Sequence, residues 1–387
     1  MIGYDLDPNL QVCTRCIYDE RVASIFFNEE GICNYCIQLE ELTMSYQPGG
    51  TKGISKFSEI IDQIKADGKG KKYDCVIGIS GGTDSSFMVH QAVTQWGLRP
   101  LAVHYDNTWN SAISTQNIAR ILNPLGVDLY THVVNNKEAD DIFRAFFKAS
   151  VAELDASTDL AFAEVMNRAA WKNGVKYALE GHSFITEGIT PVGRNYFDGK
   201  YIAEIHKKFG TLKMSTYPLM TFERFLFWSI FARIRKIRPF WYIDYNKETA
   251  RKTLEDLYGW KYYGGHHLEN RITSYAHSVY LPSKFNTDMR NNTLSAKVRN
   301  HELKRNDAWN TYSSAPEFDE DIVDYFQKRI QITQTEYENV MNETPKSWMD
   351  YPTYKRRFEL LRPLFSVLAD AELVPRSFYL KYCFPTK

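Results

Sequence analysis

Cys13-x-x-Cys16 and Cys33-x-x-Cys36 stand sixteen residues apart near the start of the chain. Thiolate is a soft ligand, and two such pairs can close four sides of a tetrahedral ion. The spacing suits a structural zinc knuckle. An iron–sulfur cluster, or four unrelated buried cysteines, are the competing readings. With all four positions supplied by protein, such a centre has no open site for chemistry. The second constellation is Ser80-Gly81-Gly82-Thr83-Asp84-Ser85-Ser86. Two glycines let backbone amides approach a ligand, and a helix opening just behind them offers unsatisfied N–H groups and a positive dipole end. Ser80, Thr83, Ser85 and Ser86 add hydroxyls. That combination is a phosphate cradle, although a plain glycine turn with a serine cap would show many of the same residues. Asp84 is out of place beside phosphate unless it holds Mg2+ or caps the helix.

Both constellations need a scaffold. Apolar runs at 73–80, 100–106, 128–134 and 176–182 alternate with helical stretches, and Gly97, Gly126 and Gly174 fall where those helices would end. Runs apolar on both faces, separated by helices, predict a parallel sheet with right-handed crossovers. The fold class expected is therefore α/β, a doubly wound parallel sheet, preceded by a four-cysteine zinc knuckle and followed by a mostly helical region. Expected boundaries are 1–46 for the knuckle, 51–215 for the nucleotide domain and 216–387 for the helical substrate or partner region. Gln47-Pro48-Gly49-Gly50 is the linker. Residues 222–260 read as two helices around Pro239, with "RIRKIR" (233–238) as a solvated helix face, a phosphate contact or a membrane-surface patch. Pro282, Pro316 and Pro345 mark loops.

Lys plus Arg equals Asp plus Glu at 47 each, so the formal charge is zero and a nucleic-acid partner is not favoured. The chain lacks an apolar leader near residue 1, and its longest apolar stretch, 225–232, is too short to cross a bilayer. A cytoplasmic setting follows as the expectation. The 14% aromatic share suits a sugar or nucleotide enzyme, and a large packed core better still.

In open α/β sheets ligands sit beyond the carboxyl ends of the strands. Those ends carry Asp106 and Asn107 after the second strand, and Gly181 with Glu187 after the fourth. Glu187 is a candidate metal-binding or polarising carboxylate, or else a solvated loop acid. Farther on, His266, His267 and Glu269 offer substrate contact, proton transfer or mere packing.

The Ser80–Ser86 stretch after an apolar strand resembles the PP-loop of N-type ATP pyrophosphatases, a fold also called HUP-like. "CTRCIYDE" (13–20), "GICNYC" (31–36), "YIDYNKE" (242–248), "GWKYYGGHHLENR" (259–271), "LPSKFNTDMR" (281–290) and "LSAKV" (294–298) follow in an order similar to that of the N-acetyl sugar amidotransferases of surface-polysaccharide and nonulosonic-acid biosynthesis. The resemblance implies that the loop holds the β- and γ-phosphates of ATP, that Asp106 and Asn107 face adenosine, and that Gly181 and Glu187 lie near pyrophosphate and its Mg2+. It implies adenylation of a sugar acetamido oxygen, then displacement of AMP by ammonia to leave an acetamidino group. The acceptor would be nucleotide-linked, lipid-linked or a nonulosonic acid. Neither Cys75 nor Cys383 suits a glutaminase nucleophile. The resemblance therefore implies a glutaminase partner and a cyclase-like barrel similar to those of imidazole glycerol phosphate synthase. A tRNA-modifying, thiolase-like PP-loop enzyme is the alternative reading.

Overall fold

The computed structural model describes residues 9–189, 191, 195–264, 269–316, 318–371 and 373–385. Among these, five parallel strands form one sheet: β1 (Cys75–Gly78), β2 (Pro100–Asp106), β3 (Leu129–Val133), β4 (Tyr177–Leu179) and β5 (Arg235–Ile237), in the order β3-β2-β1-β4-β5. In register, Ile77 lies opposite Ala102 on one side and Leu179 on the other.

Side chains alternate along each central strand, so each face needs its own cover. Val76, Leu101, Val103 and Ala178 pack against Ile142, Phe143 and Phe146 of the helix Asn136–Ala149 and Val165 of the helix Ala156–Lys172. Cys75, Ile77, Ala102 and Leu179 pack against Ile61 and Ile64 of Thr51–Asp67, Met88 and Val89 of Thr83–Thr94, and Ile121 of Ala112–Leu125. Helices on both faces make the sheet doubly wound. Gly126 ends its helix in the left-handed region at φ 63°, as its position predicts. At the edge, β3 keeps Leu129 and Val133 exposed, so the expectation of two buried faces fails for that strand.

The sequence reading holds on one side of Pro239 and fails on the other. The second of the two expected helices forms at Lys247–Tyr258, but the first stops early: the chain makes the short helix Phe222–Leu226, a π-helical turn at Phe227–Ala232, then strand β5 and a 3-10 turn at Pro239–Trp241. "RIRKIR" is an edge strand and not a helix face. Its basic side chains have a local use, since Lys236 and Arg238 pair with Glu180 at 3.0 Å each. The sheet thus recruits chain beyond residue 215. Pro282 does not mark a loop either: it lies within a continuous helical run from Arg271 to Phe285, just after the π-helical turn Ala276–Tyr280.

Much of the aromatic share lies in the core. Tyr275 stacks on Phe326 at 3.8 Å, and both are fully buried beside Phe147 and Tyr280. Each such ring contributes about 1.5–3 kcal/mol through burial. The C-terminal helices form a second aromatic cluster around Phe358, Phe365 and Tyr379.

Glu153 is buried at the junction of these layers, accepting from Tyr196 N at 3.2 Å and Tyr201 Oη at 3.1 Å. Burial pushes its pKa up to about 7. A carboxyl raised in the folded state holds a proton that the unfolded chain has released, so stability falls as pH rises from about 4.5 to about 7. Glu153→Gln is expected to add roughly 3 kcal/mol of stability at most at pH 8, seen as a higher melting temperature, and to change little at pH 4. Thermal scans at the two pH values check this; an equal effect at both would refute it.

Candidate phosphate and metal sites

β1 delivers the chain to Gly81, which takes φ 80°. A Cβ there would lie 2.1 Å from Ser114 O, so a side chain is sterically barred. Gly82 is extended at φ −73° and caps the helix Thr83–Thr94 without a side-chain acceptor, and the Tyr263 hydroxyl lies against Thr83 at the start of that helix. The loop is held from behind. Trp260 Nε1 donates to Gly81 O at 3.0 Å, and Asn117 Nδ2 donates to the same oxygen at 3.3 Å. Ser80 Oγ accepts from Gly82 N at 3.2 Å and meets Ser85 Oγ at 3.3 Å. Ser86 Oγ is buried with no hydrogen-bond partner among the described residues. The arrangement of backbone amides, hydroxyls and a helix N-terminus fits a phosphate chain.

The carboxylates at this site are paired with a cation. Asp84 Oδ2 accepts from Lys247 Nζ at 2.7 Å, Lys247 lies 3.6 Å from Glu187, and Tyr245 Oη donates to Asp84 Oδ1. Burial pushes the Asp84 carboxyl up, but Lys247 and Tyr245 more than reverse this and hold it below the usual carboxylate range. For Lys247 burial acts downward, yet Asp84 and Glu187 keep it above the ordinary lysine value. His182, 4.0 Å from Glu187, accepts from Trp241 Nε1 at 3.1 Å. Burial, with Arg238 nearby, lowers its pKa to about 4, so it is neutral at pH 7. Two carboxylates beside a phosphate cradle are donors of the type Mg2+ accepts together with phosphate oxygens. Gly181 passes within about van der Waals reach of the Asp84 backbone, its would-be Cβ lying 3.3 Å from Asp84 C.

Glu269 joins from the far part of the chain. Ser80 Oγ donates to Glu269 Oε1 at 3.3 Å, and Ser111 N and Ser114 Oγ donate to Glu269 O at 2.8 and 3.2 Å. Asn270 and Asn110 form an antiparallel bridge beside it. The structure therefore gathers Ser80–Ser86, Gly181, Glu187 and Glu269. Asp106 ends β2 and Asn107 follows it, but their side chains serve the turn. Asp106 Oδ1 accepts from Thr108 N at 2.7 Å, and Asn107, 1% exposed, bonds Trp109 N, Asn270 and Thr158. His266 and His267 lie outside the described residues. Sequence reasoning missed Tyr245, Lys247, Trp260 and Asn117. Asn246 capping the helix Lys247–Tyr258 was a readable signal for where Lys247 sits, though not for what it meets.

The four cysteine sulfurs lie within 4.8 Å of one another, with Cys13–Cys36 at 3.9 Å and Cys16–Cys33 at 3.8 Å. A metal–sulfur bond of about 2.3 Å sets tetrahedral thiolates about 3.8 Å apart, so the knot suits a single ion. A polynuclear iron–sulfur cluster spreads its thiolates over more than one iron and needs wider gaps. Amides of Arg15, Tyr18 and Cys33 point at sulfur from 3.3–3.4 Å.

The parallel sheet in this order, with the Ser-Gly-Gly-Thr-Asp-Ser-Ser loop at the end of β1, defines an α/β fold of the PP-loop type. Residues 269–364 match the family model described as "LPS biosynthesis protein WbpG-like, C-terminal domain". The matched stretch opens on Glu269, the residue that reaches the loop. An uncharacterized protein of Methanocaldococcus jannaschii is 27% identical over 172 residues, 44% of this chain. The chain spans 58% of the length of that curated relative. Among solved structures, the U34-tRNA thiolase NcsA from Methanococcus maripaludis with its 4Fe-4S cluster overlaps 80% of this chain and 90% of its own, at 12% identity and TM-score 0.31. The NH3-dependent NAD synthetase from Campylobacter jejuni overlaps 76% and 97%, at 12% identity and TM-score 0.30. The NMN synthetase from Francisella tularensis overlaps 58% and 92%, at 15% identity and TM-score 0.27.

Proposed function

We propose that this protein is an ATP-dependent, AMP-forming amidotransferase that converts a sugar acetamido group to an acetamidino group in surface-glycan biosynthesis. The observation that carries this reading is the amide cradle at Gly81–Ser86 with Asp84, Glu187 and Lys247 grouped beside it. The WbpG-like match at 269–364 supports the glycan context.

An amide oxygen leaves badly, so ammonia alone does not displace it. In the proposed reaction the acetamido oxygen attacks the α-phosphorus of ATP, pyrophosphate departs, and an O-adenylyl imidate forms. Ammonia then adds at the imidate carbon, AMP leaves with the oxygen, and a lost proton gives the amidine. The amides of the Thr83–Thr94 helix and the ammonium of Lys247 neutralise charge that builds on pyrophosphate. Asp84 and Glu187 would hold Mg2+, which supplies further charge neutralisation on the phosphates. Glu269, tied to Ser80, stands where it can orient the acceptor or take up a proton. The four cysteines would hold Zn2+ in a structural role.

Ammonia is scarce at neutral pH, and a glutaminase partner with a cyclase-like barrel would deliver it. A thiolase-like role calls for a reactive cysteine near the loop. The cysteine nearest it in sequence, Cys75, is fully buried, and burial pushes its thiol well up.

Incubation with ATP, Mg2+, ammonium and candidate acetamido sugars, followed by mass analysis, tests the reading. The product should weigh about one unit less than the acceptor, with AMP formed in equal amount. ADP in place of AMP would refute it. Among the described residues no helix is long and apolar enough to cross a membrane.

A further inference from the structure

Arg299 ends the helix Arg290–Arg299 and stands between the cysteine knot and the phosphate site. Its Nη1 lies 3.8 Å from Cys36 Sγ, and its guanidinium sits 5.4 Å over the Tyr18 ring. Its Nη2 is buried, makes no hydrogen bond among the described residues, and faces Gly188. A Cβ on Gly188 would come within 3.1 Å of it. Gly188 directly follows Glu187 and takes φ 74°, so the turn that carries the carboxylate packs against this arginine and the Asn292 carbonyl.

The rest of the helix repeats the pattern. On the knot side, Ile17 N donates to Ser295 Oγ at 3.3 Å and Tyr18 Oη to Asn292 Oδ1 at 2.8 Å. Arg305, just beyond, donates to Cys13 O and Cys16 O. On the phosphate side, Asn300 Nδ2 donates to Ile185 O at 3.4 Å, inside the turn Phe184–Glu187. Four thiolates around one divalent ion carry a net charge of minus two, and a buried guanidinium against Cys36 offsets part of it. Groups in that position orient metal ligands and strengthen metal binding. Here the same side chain has a second arm toward the nucleotide side.

We propose that Arg299 is a positioning residue coupling the four-cysteine centre to Glu187, so that metal binding and nucleotide binding strengthen each other. The proposal rests on reading the cysteines as a metal centre and Gly81–Ser86 as the ATP loop. Coupling of this kind is reciprocal, which makes it measurable from the metal side without any turnover.

The zinc-loaded full chain is challenged with a chromogenic chelator, with and without Mg2+ and an ATP analogue that cannot be cleaved between its α- and β-phosphates. Calorimetry records analogue binding separately. In the wild type, bound analogue should slow metal release about fivefold or more. Arg299→Met should release metal about 10-fold faster or more and lose the analogue's effect, while Arg299→Lys, keeping the charge, should recover part of both. Gly188→Ala changes no knot residue, yet it crowds Nη2 and should also speed release. Wild-type protein that binds the analogue but releases metal at an unchanged rate overturns the coupling. An Arg299→Met protein that keeps the analogue's effect overturns it too. Wild-type protein that binds no analogue sinks the ATP-loop reading itself, a distinct result. Should Arg299→Met fail to fold, the wild-type comparison and Gly188→Ala still decide.

Discussion

Asp84→Ala is expected to lower ATP-dependent AMP formation by at least about 100-fold while the protein stays folded. Asp84 is the first acidic side chain of the helix behind the loop, and its carboxylate takes Lys247 at 2.7 Å and Tyr245 through its other oxygen. In the proposed reaction its loss would take away an oxygen that holds Mg2+ and would free Lys247 to turn from the phosphates. Folding should survive, because Glu187 remains 3.6 Å from Lys247 and spares the protein an unpaired buried ammonium. Asp84→Asn keeps the shape and removes only the charge, so it should lose nearly as much activity. Chromatography of AMP and pyrophosphate is the assay, with thermal melting as the control. Sugar-dependent AMP release at the wild-type rate in Asp84→Ala would remove the loop from its assigned role.

The second large effect concerns Cys16→Ser. Cys16 is fully buried, its sulfur is 3.8 Å from that of Cys33, and it accepts the Tyr18 amide. A serine hydroxyl is shorter and stays protonated near neutral pH, so it makes a poor fourth ligand. The knot has only a small core of its own, built from Tyr18, Val22, Ile32 and Tyr35 around the cysteines. Metal binding is then most of its folding energy, on the order of 10 kcal/mol for comparable small sites. Cys16→Ser should lose its bound zinc and become sensitive to protease between residues 13 and 36. Elemental analysis and limited proteolysis test this; wild-type protein with no zinc would refute it.

The four central-domain strands were legible because they are short, apolar and bounded by turn residues, and two-sided burial leaves that imprint at β1, β2 and β4. β5 was hidden because an edge strand with salt-bridged basic side chains has the composition of a solvated helix. The loop was legible because Gly81 answers a local steric demand, visible in a few consecutive residues. Lys247 was not, since its partnership with Asp84 spans 163 positions and depends on how the layers stack. Asn107 shows the opposite effect. A polar residue at a strand's carboxyl end attracts a ligand-binding reading, yet here its short amide is taken up by Trp109, Asn270 and Thr158.

The phosphate site is sewn from distant stretches: Ser80–Ser86, Glu187, Tyr245 with Lys247, Trp260 and Glu269. No single cut between residues 215 and 269 leaves this set of residues on one side. A chain ended before residue 245 would lack the loop's lysine, its indole brace and the Glu269 carboxylate together. The N-terminal sheet and the chain beyond residue 240 therefore build this loop as one unit, and neither carries it alone.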